Sequence, residues 1–381
     1  MSVRKKRAPK PSAYVLAMPV STGTILSDTF KSQWIVGKPI AQGGFGCIYS
    51  AKRTGDQTEN YVVKIEPKEN GPLFTEVHFY MRACSPASLS TWINQRKLSF
   101  LGIPRYVASG LYSPPGQPGC RFLIMDRFTG DMESVLKQAR LTSDQVILIA
   151  CHVLNALEYL HSKDYAHADI KASNLLYKIS VVEVTLVDFG LVHLFRINGK
   201  HTAAKPNPKF KHNGTLEFCS RDAHRGFPPS PRGDLEILLF NLIHWLARCQ
   251  PGTAQSFTTG LPWGYLISDP KLRENASDSV KNQVAAIKEQ AMRDIDCFFT
   301  QAGIPHDTDL SSFMLTVSQL DYDQTPDYEL LRQHLLAFSK RMKSSVTNSS
   351  PKVGTPARPM KRLSTEHLSH VCLLSSSICQ I

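Results

Sequence analysis

None of the nine cysteines in this 381-residue chain forms a C-x-x-C pair or sits in a metal-like cluster, so neither a disulfide framework nor a zinc site is indicated. Scattered free thiols point instead to a reducing, intracellular compartment. Long apolar runs are also missing. Met1 to Pro19 holds too short an apolar stretch for a secretory leader, and Val371 to Ile381 is short and serine-rich. Leu235 to Leu246 is apolar nearly all round, but about twelve residues do not cross a bilayer. No membrane span and a soluble chain are therefore expected. No internal repeat is visible. Acidic charge is absent from Met1 to Ser12, which carries Arg4, Lys5, Lys6, Arg7 and Lys10. It is nearly absent from Lys340 to Ile381, where seven basic residues face only Glu366. These two arms hold eleven of the twelve net positive charges, so the body between them is close to neutral.

What is present is a chain with 42% apolar residues, long enough for one large catalytic unit or two lobes of about 100 to 200 residues each. Basic arms suit a polyanion, either nucleic acid or an acidic protein face, and equally suit plain solvation. Arg4-Lys5-Lys6-Arg7 resembles a short nuclear-import cluster. From Trp34 the pattern turns to strand, with Ile35, Val36 and Ile40 leading into Gln42-Gly43-Gly44-Phe45-Gly46-Cys47-Ile48-Tyr49. Two apolar stretches around glycines predict a hairpin, either an ordinary turn or one whose N–H groups reach phosphate oxygens. Tyr61 to Ile65 is a β-branched run with Lys64 embedded in it, a lysine that either snorkels from an edge or points at a polyanion. A helix is expected from Leu73 to Cys84, and a second, short one from Ser85 to Arg96. Pro114 to Gly119 reads as loop and Arg121 to Met125 as strand. Val146, Ile149, Val153, Leu154, Leu157 and Leu160 recur at helical spacing. Arg196 to Asn213 reads as irregular and basic, and Leu235 to Leu246 as a buried central helix. Helices continue to about Lys343, and residues 344–381 are predicted to be a disordered Ser, Pro and basic tail.

The densest chemistry lies in His167-Ala168-Asp169-Ile170-Lys171-Ala172-Ser173-Asn174 and, about twenty residues on, Asp188-Phe189-Gly190. His-x-Asp alone would suit a polar turn between a helix and a strand. The full spacing offers a carboxylate base, an ammonium counter-charge for phosphate, and an amide and a second carboxylate as hard oxygen ligands for a divalent cation. Val184 to Val187 would be the short strand that presents Asp188.

Taken in order, the glycine hairpin, Lys64, Glu76, His167 to Asn174 and Asp188-Phe189-Gly190 resemble a protein kinase, and more closely the vaccinia-related kinases of the casein kinase I group. That resemblance is carried by Gln42 to Tyr49, Gly71 to Glu76, Ile124 to Phe128, Asp169 to Leu176, Gly233 to Leu238 and Leu261-Pro262-Trp263. It covers roughly Leu26 to Ala337. It implies an α+β bilobal fold, with a small, mainly antiparallel sheet lobe carrying one principal helix (about 34–128) and a larger helical lobe (about 129–343). The kinase domain would span 26–343, between basic tails at 1–25 and 344–381. ATP and Mg²⁺ would be the cofactors. The resemblance assigns Asp169 as base and Lys171 as γ-phosphoryl counter-charge, and it assigns Asn174 and Asp188 as Mg²⁺ ligands. Lys64, oriented by Glu76, would meet the α and β phosphates. Ile40, Gly43, Gly44, Gly46 and Ile48 would cover the nucleotide, and Met125, Asp126 and Phe128 would line the adenine pocket, with Asp126 to Phe128 bonding the base through backbone. Thr215 would bridge Asp169 and Lys171.

Partners implied by the family are protein substrates with serine or threonine acceptors, among them histone tails and the barrier-to-autointegration factor. A monomer is expected in the nucleus, with the cytoplasm as a second location. The alternatives are a weak or inactive pseudokinase scaffold, and a tail-driven nucleic-acid or chromatin interaction protein. Several positions depart from the pattern. Ala41 replaces the first loop glycine, which predicts reduced but not absent activity. Ala168 replaces an arginine that elsewhere needs an activation-loop phosphate, which predicts constitutive competence. Ser220-Arg221-Asp222 replaces Ala-Pro-Glu, Pro231 replaces an arginine, and Gln250 to Gly260 looks long.

Overall fold

A computed structural model describes residues 19–42, 46–113, 116, 118–138, 141–249 and 260–348. Residues 1–18, 43–45, 114, 115, 117, 139, 140, 250–259 and 349–381, and with them most of both basic arms and the loop glycines Gly43 and Gly44, lie outside the described residues; the last helix runs to Asn348, so 344–348 are helical where a disordered tail is expected. The chain divides into two units, 1–342 and 343–381, and the fold that follows is that of the first.

Period-two alternation of apolar side chains builds a six-stranded antiparallel sheet. Its strands are β1 (Ile25–Ser27), β2 (Gln33–Gln42), β3 (Cys47–Arg53), β4 (Tyr61–Pro67), β5 (Ala108–Tyr112) and β6 (Cys120–Asp126), in the order β1-β2-β3-β4-β6-β5. Trp34, Val36, Ala51, Val63, Ile65, Phe122 and Ile124 pack into one core. Lys64 and its register partner Leu123 lie between those positions and so point to the opposite face. The Thr29 N–H donates to Ser109 O at 3.0 Å, which brings the edge strands β1 and β5 together and protects both.

Between β4 and β5 the chain forms α1 (Pro72–Ala83) and α2 (Pro86–Arg96), within a residue or so of expectation. Pro72 opens α1, where its missing N–H is harmless. Leu73, Glu76, Val77, Phe79, Tyr80 and Ala83 form its buried face, so Glu76 is carried inward with them. Ser85 caps α2 by accepting from the Ser88 N–H.

The helical half follows β7 (Gly130–Asp131) and α3 (Met132–Lys137). In α4 (Ser143–Ser162) a Thr142/Gln145 capping box sets the start, and the expected stripe from Val146 to Leu160 is buried. Short β8 (Tyr165–Ala166), β9 (Leu175–Tyr177) and β10 (Thr185–Leu186) frame the site. After α5 (Arg221–Arg225) comes α6 (Pro231–Arg248), in which every residue but Arg232 is buried. It is the pillar of the lobe, as its all-round apolar sequence requires. Among the described residues five further helices follow, α7 (Pro270–Glu274), α8 (Asp278–Ala291), α9 (Ile295–Ala302), α10 (Thr308–Gln319) and α11 (Tyr328–Asn348), of which α9 and α10 pack on α6.

One expectation is corrected. The stretch from Arg196 to Asn213 is not irregular throughout, because Arg196–Ile197 pairs with Lys200–His201. Asn198 and Gly199 turn it with φ of 51° and 75°, the two positive φ values that favour Asn-Gly in two-residue hairpins.

Candidate active site

Strand β4 and helix α1 meet at one ion cluster. Lys64 Nζ lies 2.8 Å from Glu76 Oε2 and 3.1 Å from Asp188 Oδ1, so the three residues picked from sequence converge. Burial acts against the ammonium, but the Glu76 and Asp188 carboxylates outweigh it and raise the Lys64 pKa above the ordinary lysine value. Burial likewise opposes the charge on Asp188, and Lys64 overrides it and lowers the carboxyl pKa. Glu66 was missed by the sequence reading. Its side chain is fully buried, Oε2 accepts from the Leu73 N–H at 3.0 Å, and Oε1 stands 4.0 Å from Lys64 without a hydrogen bond. The alternation around Lys64 could have suggested an acid two positions on along the same face.

Asp188 sits in the left-handed region, φ 65°, which turns its carboxylate to Lys64 while Phe189 goes into the core. The Phe189 ring stacks on Phe79 of α1 at 4.2 Å and meets Tyr80 and His167 edge-on at 5.5 and 5.0 Å. Its N–H donates to Glu76 Oε1 at 3.3 Å. The position of α1 is thus tied to that of the aspartate.

The catalytic-loop candidates are held from several sides. Asp169 Oδ1 accepts from Thr215 Oγ1 at 2.6 Å and Thr215 N at 3.0 Å, and Oδ2 accepts from Lys171 Nζ at 2.7 Å. Lys171 Nζ also reaches Thr215 Oγ1 at 3.0 Å, so Thr215 bridges the pair. Asn174 Nδ2 donates to Asp169 O at 2.9 Å. Beneath the loop, Asp234 of α6 accepts from three donors: His167 N at 2.6 Å, Ala168 N at 2.8 Å and His161 Nε2 at 2.9 Å. These bonds hold Ala168 at φ 71°, an uncommon conformation for a residue with a Cβ. Burial lowers the His167 pKa and favours the neutral ring. Its Nδ1 accepts from the Asp169 N–H at 3.2 Å, so Nε2 carries the proton and donates to Val187 O at 3.2 Å. Gly214, at φ 92°, cannot take a side chain, since a Cβ would stand 2.7 Å from Ala168 O.

For the nucleotide, cross-strand registers place Ile48, Val62, Lys64 and Met125 on one face of the sheet, and Val62 is an addition to the residues expected there. Met125 Sδ accepts from Tyr80 Oη at 3.4 Å. Ile40 is half exposed on the outer part of β2. Ala41 pairs with Ile48 in the β2–β3 ladder, so the missing glycine extends the strand. A Cβ at Gly46 would collide with the Ile65 carbonyl, which makes this glycine a requirement of hairpin-to-strand packing. The Asp126 side chain is engaged elsewhere, by Arg105 at 2.8 and 2.9 Å and by Lys178 at 3.6 Å. Burial works against that carboxylate, and these cations still lower its pKa. Only backbone at Asp126 is left for a base. Phe128 packs under Lys178 at 5.5 Å.

A divalent cation fits the donor set. The amide of Asn174 is oriented by its bond to Asp169 O, which turns Oδ1 the other way, and the Asp188 side chain is 48% exposed with one oxygen on Lys64. Both donors are hard oxygens, which suit Mg²⁺.

The unusual Ser220-Arg221-Asp222 triplet keeps a buried ion pair. Asp222 is bound by Arg232 through Nε at 2.9 Å and through a second, shorter contact, and Arg221 is bound to Glu236 at 2.9 Å. Pro231 occupies the first turn of α6 behind the Ser230 cap, a favourable place for proline.

Comparison with known proteins agrees with this geometry. Residues 105–221 match the model for the protein kinase domain. The B1 kinase of vaccinia virus (strain Ankara) is 36% identical over 82% of this chain and 97% of its own length. Serine/threonine-protein kinase VRK2 of Homo sapiens is 34% identical over 84% of this chain, and nucleosomal histone kinase 1 of Drosophila melanogaster is 36% identical over 90%. The matches span 60% and 53% of those two longer relatives. The solved structure of vaccinia related kinase 3 superposes with a TM-score of 0.69 at 27% identity, covering 86% of this chain and 94% of that one. With a protein kinase fold and relatives of this kind, the chain belongs to the vaccinia-related kinase family of serine/threonine protein kinases.

Proposed function

We propose that the chain transfers the γ-phosphoryl group of Mg-ATP to serine and threonine hydroxyls of nuclear, chromatin-associated proteins, through a site assembled without phosphorylation of its own loop. The observation that carries this reading is the joint assembly of two clusters, Lys64–Glu76–Asp188 and Asp169–Thr215–Lys171, with hydrogen-bond distances throughout. A scaffold with a degenerate pocket has no reason to keep both.

Bound Mg²⁺ would offset the charge of the triphosphate, with Asn174 and Asp188 as its ligands. Asp169 takes the proton of the acceptor hydroxyl and orients its oxygen for in-line attack, a role worth about 10² to 10⁴ in rate. Lys171 faces the transferring group, and Lys64, held by Glu76, faces the α and β phosphates. Thr215 holds the Asp169 carboxylate in place. The kinase domain runs over 26–343, and the basic arms bring it to acidic surfaces.

The nuclear reading has two supports: the arms, with their Arg4 to Arg7 cluster, and the nucleosomal histone named for the Drosophila relative. Histone tails and the barrier-to-autointegration factor are therefore the first substrates to assay. Asp169→Asn is expected to abolish transfer from Mg-ATP while nucleotide binding persists, and phosphatase treatment of the parent protein should leave its initial rate intact. Transfer unchanged in the variant overturns the mechanism, and a large loss after phosphatase overturns the self-assembled site.

A further inference from the structure

Helix α1 starts without a cap of its own. Gly71 stands at the capping position with no side chain to accept a hydrogen bond, Pro72 follows, and the first turn carries no acid. The Leu73 N–H is therefore an orphan donor, and Leu73 is fully buried, where water cannot take it.

Its partner comes from another element. Glu66, near the end of β4, accepts that N–H through Oε2 at 3.0 Å, and its carboxylate lies where the positive end of the helix dipole favours one. Burial raises the Glu66 pKa, and Lys64 and this bond work against that rise. The glycine hairpin closes over the same side chain, since a Cβ on Gly46 would stand 2.5 Å from Glu66 Cγ. Arg121 of β6, the cross-strand partner of Glu66, lays its guanidinium over the ring of Phe74, the next residue of α1, at 4.9 Å. Two neighbouring strands thus hold the first turn of the helix.

What α1 carries gives that hold a purpose. Glu76, one turn further on, bonds Lys64 Nζ at 2.8 Å and the Phe189 N–H at 3.3 Å. Phe74 and Met81, on the outer side of α1, are half exposed, so its inward position depends on the bonds it makes to the sheet and to Phe189. Lys64 and Glu66 are two apart on one face of β4, and the strand grips the helix at two points: through the Glu76 side chain and through the Leu73 backbone. Held at Glu76 alone, α1 would pivot about that pair. Held at its first turn as well, it does not.

We infer that Glu66 is a positioning residue for phosphotransfer: by capping α1 from the neighbouring strand, it keeps Glu76 against Lys64 whether or not nucleotide is bound. This rests on the phosphotransfer reading and adds the device that keeps the lysine aimed in the resting protein.

Two conservative variants separate reach from charge. Glu66→Asp keeps the charge but is one methylene too short for the Leu73 N–H, whereas Glu66→Gln keeps an oxygen within reach and loses the charge. Glu66→Asp should weaken Mg-ATP binding by about tenfold and speed amide exchange across the first turn of α1 in nucleotide-free protein by about as much, and Glu66→Gln should lose about threefold less, or better, on both measures. A Glu66→Gln as damaged as Glu66→Asp means that Lys64 needs a second charge, and it overturns the inference; so does a Glu66→Asp that matches the parent. A merely structural loss is exposed by repeating Glu66→Asp in a Glu76→Gln background. A residue that acts through Glu76 should there cost less than about twofold in Mg-ATP affinity, and an undiminished loss of about tenfold overturns the positioning role. If the parent chain binds Mg-ATP but transfers phosphoryl to no protein, the phosphotransfer reading fails by itself, while exchange and affinity in the variants still decide what Glu66 does to α1.

Discussion

Asp234 is the residue whose substitution most sharply tests how the site is held. Its carboxylate is 1% exposed and accepts three N–H groups, two from the backbone of the loop that carries Asp169 and one from His161. Asparagine is nearly isosteric, but one of its terminal atoms is a donor and would face a donor. The better orientation keeps the side shared by His167 N and His161 and abandons Ala168 N. That leaves one buried N–H unpaired, at about 1–3 kcal/mol, and turns two charge-assisted bonds into neutral ones, at about 1 kcal/mol each. The sum, about 3–5 kcal/mol, is that of a broken buried network. Ala168 would also lose the bond that holds it at φ 71°, and its relaxation would displace Asp169. Asp234→Asn is therefore expected to melt about 6–10 °C lower and to lose about 10² in kcat, with a smaller change in ATP affinity. Scanning calorimetry and steady-state kinetics at a temperature where both proteins are folded read the two effects. A variant within about 2 °C and threefold of the parent would refute the view that this carboxylate organises the loop.

Lys64→Met strands Glu76 and Glu66 in the interior at 1% and 0% side-chain exposure, and should lose about 3–5 kcal/mol along with activity; adding Glu76→Gln should recover part of the stability but none of the activity, and a double variant no more stable than the single one would argue against the cluster. The raised Lys64 pKa contributes stability that is complete below the unfolded lysine value of about 10.4 and fades only above it, so the lysine itself adds no slope near neutrality. His224 behaves oppositely. Burial, helped by Lys288 and His212, pushes its imidazole down to about 2, whereas an unfolded imidazole titrates near 6.5. Its contribution is complete above about pH 6.5 and drains away as the pH falls toward 2, by about 1.4 kcal/mol per unit, or about 2 kcal/mol at pH 5. Urea midpoints should accordingly fall less steeply with acid in His224→Gln than in the parent, and parallel curves would contradict the buried neutral ring.

The parts of the site legible in the sequence are those whose chemistry is local. Asp169, Lys171 and Asn174 sit within six residues, and the loop's own hydrogen bonds bring them together. Lys64 and Glu76 lie on adjacent elements, each with a face fixed by periodicity. What stayed hidden depends on where distant elements meet. Nothing near Ala168 points to Asp234, sixty-six residues later, and nothing near Cys219 points to Lys288. Gly46 is expected from the sequence as part of a turn or a nucleotide cover, and the structure adds a packing reason that no local pattern reveals, the Ile65 carbonyl across the ladder. The hairpin at Asn198-Gly199, by contrast, has a local signal in that dipeptide, whose two positive φ values suit a two-residue turn.

Ala168 gives the regulatory reading its physical content. Where an arginine would wait for a phosphate, this chain has a methyl group, and the loop is fixed instead by donors and acceptors of the chain itself: Asp234 beneath, Thr215 and Lys171 in front, Asn174 behind. On the proposed reading, each partner of Asp169 is in place through bonds that need no phosphate. Of these holds, Thr215 is the one that also begins the buried turn over residues 216–219, whose carbonyls accept from Lys288 and Trp263. On the proposed reading, control then acts through substrate engagement rather than through assembly of the site.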